Sequence, residues 1–131
     1  MKLIRELEKD SRQTNIELAK KLKVSEGTIR KRIADLVKDR VIRRFTVDLS
    51  TNDAFVAIVL LKTDPQIKTA EIVSKLNLIK GIKDIYETAG EWDVAIKVVV
   101  KSAGIFNDII ERIRRTKGIM DTQSLTVLNV G

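Results

Sequence analysis

The sequence predicts an α+β chain in which a winged helix-turn-helix is followed by a ferredoxin-like βαββαβ domain. Three observations carry this: apolar residues recur at helical spacing through the first forty positions, the second half repeats with a period of 37 residues, and the basic charge gathers in the first fifty. The corresponding domains are 1–49, helix-turn-helix with a hinge strand, and 50–131, the plait.

Residues 2–10 put Leu3, Ile4 and Leu7 on one side of a first helix, and the polar run from Ser11 to Thr14 interrupts it. Thr14 or Asn15 caps a second helix, Asn15–Leu22, with Glu17 three residues after Thr14 as a capping box requires. This two-turn helix is expected to bury Ile16, Leu18, Ala19 and Leu22. Lys23 and Val24 form a tight connection. Ser25 then caps a third helix that runs to about Asp39, with Ile29, Ile33, Leu36 and Val37 as its apolar stripe.

A short helix, a tight turn and a longer helix make a helix-turn-helix. The exposed side of the third helix carries Glu26, Gly27, Thr28, Arg30, Lys31 and Arg32, and Lys20, Lys21 and Lys23 precede it. In such a unit the early residues of the recognition helix reach base edges in the major groove, and flanking Lys and Arg engage the phosphates of double-stranded DNA. Gly27 either lets the backbone approach DNA closely or occupies a first-turn position where glycine costs little. A three-helix protein-interaction module with a solvated basic face would share the helical pattern. The charge on the third helix favours DNA.

Arg40–Asp48 is rich in β-branched residues and is expected to form a strand, with Arg43 and Arg44 either meeting phosphates as a wing would or guarding an exposed edge. The candidate DNA-contacting set is thus Lys23, Ser25, Glu26, Gly27, Thr28, Arg30, Lys31, Arg32, Arg43 and Arg44. Leu49–Asp53 is the natural hinge.

In the second half, Lys80-Gly81-Ile82-Lys83-Asp84 recurs as Lys117-Gly118-Ile119-Met120-Asp121. The same shift lays the β-forming run Ala54–Thr63 over Glu91–Val100, and the helical stretch 64–80 over 101–117. Each unit reads strand, helix, Gly turn, strand, so two in series give the plait. Ile67, Ala70, Ile72, Val73, Leu76 and Ile79 make one apolar helix face, and Ile105, Phe106, Ile109, Ile110 and Ile113 the other. A plait has helices on one sheet face only, yet Phe55–Leu61 and Val94–Val100 are apolar almost without alternation. A second copy of the chain is the natural cover for the other face, and a homodimer would pair two DNA-reading units.

Composition narrows the chemistry. Residues 1–50 carry 14 Lys and Arg against 8 Asp and Glu, whereas residues 51–131 carry 11 against 10. That asymmetry fits one half that meets a polyanion and one that does not. There is no cysteine and no histidine, which removes disulfides, thiolate nucleophiles, the commonest zinc ligands and the commonest general base. No paired-carboxylate motif stands out, so no catalytic residue, metal or cofactor is expected. No apolar run approaches the ~20 residues that span a bilayer. The start Met1–Glu6 lacks a signal-peptide pattern, so a cytoplasmic protein without a membrane partner is expected.

Over essentially its whole length the chain resembles the Lrp/AsnC family of feast/famine regulators. The strings that carry the resemblance are Asn15-Ile16-Glu17-Leu18-Ala19-Lys20-Lys21-Leu22, Ser25-x-x-Thr28-Ile29-x-x-Arg32-Ile33-x-x-Leu36 and Val41-Ile42, then Gly90-Glu91-Trp92-Asp93 and Gly118-Ile119-x-x-Thr122-x-Ser124. The resemblance implies a sequence-specific transcription regulator, not an enzyme, whose dimers assemble further, often to octamers. It also implies an amino-acid effector or related metabolite held near the hairpin and the last strand, with Gly90, Trp92, Asp93, Thr122 and Ser124 as the candidate contacts. The ordinary reading of those five is that Gly90 makes a tight hairpin, Asp93 caps it and Trp92 packs at an interface.

Two departures stand out. The first helix begins at Met1, short of the family's usual extension, and Arg40 stands where the family commonly has Gly after the recognition helix. A left-handed conformation would be strained at Arg40, so the helix is expected to end differently. The alternatives are an architectural DNA-binding protein without effector and a siroheme-decarboxylase-like enzyme. The second relies on histidine, which this chain lacks.

Overall fold

Thr14 and Glu17 cap one another: the Thr14 hydroxyl accepts the Glu17 backbone N–H at 3.1 Å, and the Glu17 carboxylate accepts the Thr14 N–H at 3.0 Å. This is the reciprocal box that the spacing predicts. In the computed structural model, which describes residues 2–48 and 53–131, the box opens α2 (Asn15–Leu22), between α1 (Lys2–Lys9) and α3 (Glu26–Lys38). Ser25 caps α3 by accepting the Thr28 N–H at 3.1 Å. Leu3, Leu18, Ala19, Ile29 and Leu36 are buried among the three helices, with Leu7, Leu22, Val24 and Ile33 packed around them. Each such Leu or Ile stabilises the unit by roughly 1.5–3 kcal/mol.

Ile16 and Val37 are exposed, contrary to the sequence expectation. At about 100° per residue Ile16 falls roughly 160° from Leu18, outside the stripe, and Val37 sits at the stripe's edge.

Lys23 (φ 56°) and Arg40 (φ 58°) are left-handed, one at each side of α3. The Arg40 N–H donates to the Val37 carbonyl at 3.1 Å and the Val41 N–H to the Leu36 carbonyl at 2.9 Å. These bonds form a Schellman ending. The expectation that arginine would make the helix end otherwise is therefore corrected. Two backbone hydrogen bonds and the inward turn of Ile42 outweigh a left-handed strain of about 1–2 kcal/mol.

The strand expected over Arg40–Asp48 is also absent: residues 41–48 are irregular, with Phe45 and Val47 exposed. β propensity makes a strand only where a second strand takes up its N–H and C=O groups. No described strand does so here. The expected hinge, apart from Asp53, lies outside the described residues.

The second half forms β1 (Phe55–Thr63), α4 (Thr69–Leu76), β2 (Ile82–Glu87), β3 (Val94–Val100), α5 (Ala103–Arg114) and β4 (Ile119–Thr126). The sheet is antiparallel in the order β2-β3-β1-β4, so the first strand of each repeat lies at the centre. This is the predicted βαββαβ plait. Register sets Ala57, Val59 and Leu61 opposite Val98, Ile96 and Val94. All six are buried with Ile72, Leu76, Phe106, Ile109, Ile110 and Ile113 of the helices. Ala70 and Ile105, expected on the helix faces, are exposed instead. On the opposite sheet face Ile58, Leu60, Ala95 and Val99 are only half-buried within one chain. Contacts divide the chain into two compact units, Met1–Asp48 and Leu49–Gly131. No helix among the described residues is long and apolar enough to cross a membrane.

Candidate DNA-reading helix and ligand hairpin

Burying Ile29 and Leu36, with Ile33 packed beside them, turns the rest of α3 outward. Glu26, Gly27, Arg30, Lys31 and Arg32 are exposed, as are Lys20 and Lys23 before them. Arg30 is held by Glu26 one helical turn back, an exposed pair of the kind that stabilises by only ~0.5 kcal/mol and yields readily to a stronger anion. Lys31 and Arg32 make no ion pair with a described residue. Lys21 instead turns back to Glu6 at 3.6 Å. The Glu6 carboxyl is held below its ordinary pKa first by the Lys9 hydrogen bond and then by the charges of Lys9 and Lys21. Lys21 thus braces α1 against α2.

Ser25 and Thr28 share a hydroxyl–hydroxyl bond of 2.8 Å, so both are engaged at the helix start. Among the described residues, apart from its chain neighbours and its own helix backbone, Gly27 has just the Ser25 Oγ within reach, 4.0 Å from where a Cβ would stand. The space beside that backbone is open. Arg43 and Arg44 are exposed in the irregular segment after α3.

In the second unit the β2–β3 hairpin is tied down by Asp93. Its Oδ2 accepts the Thr63 N–H at 2.8 Å and the Thr63 hydroxyl at 3.3 Å, and its own N–H donates to the Leu61 carbonyl at 2.9 Å. Thr88 closes the loop from the other side, donating its N–H to the Asp93 carbonyl and its hydroxyl to the Trp92 carbonyl. No described residue donates to Asp93 Oδ1. Trp92 lies under Lys62, whose Nζ is 5.5 Å from the ring centroid, within cation–π range. Gly90, at φ +138°, has no atom of a described residue beyond its chain neighbours within 4 Å of a notional Cβ.

Thr122 pairs with Leu61 across β4, so Asp93 and Thr122 flank the same end of β1 from opposite sides. A shallow cleft of about 220 Å³ opens on the β4 side, lined by Arg114, Ile119, Met120, Asp121 and Thr122 and by no hairpin residue. Ser124 pairs with Val59, further along the strand, and Gly90 stands at the hairpin tip. Trp92 and Asp93 therefore gather on the hairpin side of the end of β1, Thr122 stands across that strand, and Ser124 and Gly90 lie farther out. Lys62, Thr63 and Thr88 belong to the same cluster, and sequence reading missed them. The one signal for Lys62 and Thr63 was the polar end of an otherwise apolar strand.

Known proteins share both halves. Residues 56–130 match the family model described as the Lrp/AsnC ligand binding domain, and residues 1–43 match a winged helix-turn-helix DNA-binding model. The HTH-type transcriptional regulator LysM of Sulfurisphaera tokodaii is 40% identical over 130 residues, covering 99% of this chain and 93% of that protein. The leucine response regulatory protein LrpA of Mycobacterium tuberculosis has a similar structure, with a TM-score of 0.86 at 28% identity over 98% of this chain and 89% of that one. A feast or famine regulatory protein from M. tuberculosis, solved in complex with L-methionine, gives 0.83 at 28% identity over 98% and 88%.

Proposed function

The chain belongs to the Lrp/AsnC family of transcription regulators, and on that premise we propose that it reads DNA with the outward face of α3 and answers to an amino acid bound at the Asp93 hairpin. It is a regulator rather than an enzyme, as the names of the relatives matched over nearly the whole chain have it. Its partners are DNA and a small molecule. The observation that carries the DNA reading is the cationic face of α3, where Lys31 and Arg32 stand unpaired among the described residues and Arg30 is only loosely held. Lys23, Ser25, Glu26, Gly27 and Thr28 lead into it, and Arg43 and Arg44 extend the basic surface. Phosphates would take the cations, and the first turn of α3 would face base edges.

The effector reading is supported by Asp93 Oδ1, to which no described residue donates, next to Trp92 in the hairpin, and by the similar protein solved with L-methionine. A carboxylate there suits an α-ammonium, and the Thr122 hydroxyl suits the acid group. Ser124 and Gly90 would shape the far side. Dimerisation is supported by the half-buried apolar residues on the helix-free sheet face, with Leu125 and Tyr86 exposed at its borders. Further assembly to an octamer completes the reading.

Titration of operator-length duplex DNA at several salt concentrations tests it. Replacing Arg30 and Lys31 with Ala should weaken binding and reduce the salt slope by about one for each phosphate no longer neutralised, with the oligomer intact. Unchanged affinity at moderate salt would remove α3 from the interface.

A further inference from the structure

The two repeats differ in one respect that leaves a groove. In the first repeat Ile72 and Ile67 close against Gly118, at 2.8 Å and 3.4 Å from a notional Cβ. The repeat puts Gly104 where the first unit has Ile67, Lys101 where it has Asp64, and Lys83 where the second has Met120. Helix α5 also starts nearly a turn earlier in its repeat than α4, so the second side chain against Gly81 is Val100 from the sheet, 2.9 Å from a notional Cβ, and none comes from the segment before the helix as Ile67 does at Gly118. The result beside Gly81 is a groove of about 740 Å³, within the ~300–1,000 Å³ range of small-molecule sites.

Its floor is apolar, made by Ile79, Ile82, Val100, Ile105 and Ile109. Its rim carries Lys80, Lys83, Lys101 and Arg112 against one carboxylate, Asp108. None of these five charges forms an ion pair with a described residue. Val100 pairs with Phe55 at the start of β1, whereas the Asp93 hairpin binds its far end. The groove is therefore separate from the proposed amino-acid site.

We propose that this groove binds a small organic acid with an apolar body and no ammonium group, of the branched-chain 2-oxo acid class. The carboxylate and oxo oxygens accept hydrogen bonds from the Lys and Arg rim, and the hydrocarbon covers the isoleucine floor. An α-ammonium would meet an excess of three positive charges, so the free amino acid of the same carbon skeleton is rejected.

Isothermal titration calorimetry of the full chain with 4-methyl-2-oxopentanoate, leucine and inorganic phosphate as probes tests the assignment. The oxo acid should bind, and its affinity should fall roughly tenfold or more in a Lys83→Met, Lys101→Asp variant, which gives each position the residue of its counterpart in the other repeat. Ile105→Gln, at an exposed position, should weaken it without touching the charges. It serves as the second variant should the charge change alter folding, which the thermal midpoint reports. Leucine binding should be the same in wild type and variants. The proposal is overturned by absence of oxo-acid binding to the wild type, by equal affinity for phosphate, or by binding that persists unchanged in both variants.

Discussion

Gly118 stands against Ile72 so closely that an added Cβ would lie 2.8 Å from the Ile72 Cδ1, and Gly81 stands against Ile109 at the same distance. The glycines are separated by the period that also separates the isoleucines. Each repeat therefore ends its helix under the helix of the other, and the duplication seen in sequence is interlocked in space.

Replacing Gly118 or Gly81 with Ala should be strongly destabilising in both cases. Positive φ, +102° and +106°, adds backbone strain, and the Ile contact adds overpacking; together these amount to about 2–5 kcal/mol. Gly90→Ala shares only the strain and should cost less. Denaturant unfolding of the three variants would show it; equal losses would mean that the Ile contacts yield freely.

On the proposed reading Asp93 has two separable roles. Asp93→Asn keeps an oxygen for the Thr63 N–H, so the hairpin should hold, while loss of the charge should abolish the stabilisation conferred by an amino acid. Asp93→Ala should lose both, with about 1–3 kcal/mol from the orphaned half-buried N–H of Thr63. Thermal unfolding with and without each amino acid distinguishes the variants. A full amino-acid response in Asp93→Asn would move the ligand elsewhere.

Gly27 offers a test with opposed signs. Open space surrounds it in α3, so Gly27→Ala should stabilise the unit by up to ~1 kcal/mol. If the backbone approaches DNA there, affinity should fall while the salt slope stays constant. Gel-shift titration beside thermal melts reads both quantities.

What could be read beforehand follows the range of the interactions. Thr14 and Glu17 are three residues apart, and their reciprocal bonds follow from that spacing alone. The repeat, too, was visible because each unit carries its own strand, helix and glycine. The irregular course of residues 41–48 was not visible, because a strand depends on a partner and not on its own β-branched content. Thr63 escaped notice for a similar reason: it meets Asp93 across 30 residues, and only the register of β1 brings them together. The exposure of Ile105 reflects the early start of α5 and its place in the lining of the groove, which composition cannot signal.

The left-handed Lys23 and Arg40 carry a further implication. Glycine would adopt both conformations without strain, yet at each side of α3 the chain keeps a cation. On the proposed reading the first unit is thus less stable than glycine would make it, and two more charges would border the nucleic acid. Lys23→Gly and Arg40→Gly should each yield a tougher domain, by about 1 kcal/mol, that holds DNA more weakly. Melting temperature and affinity moving in opposite directions would reveal the exchange, whereas a gain in both would show that these cations have no part in binding.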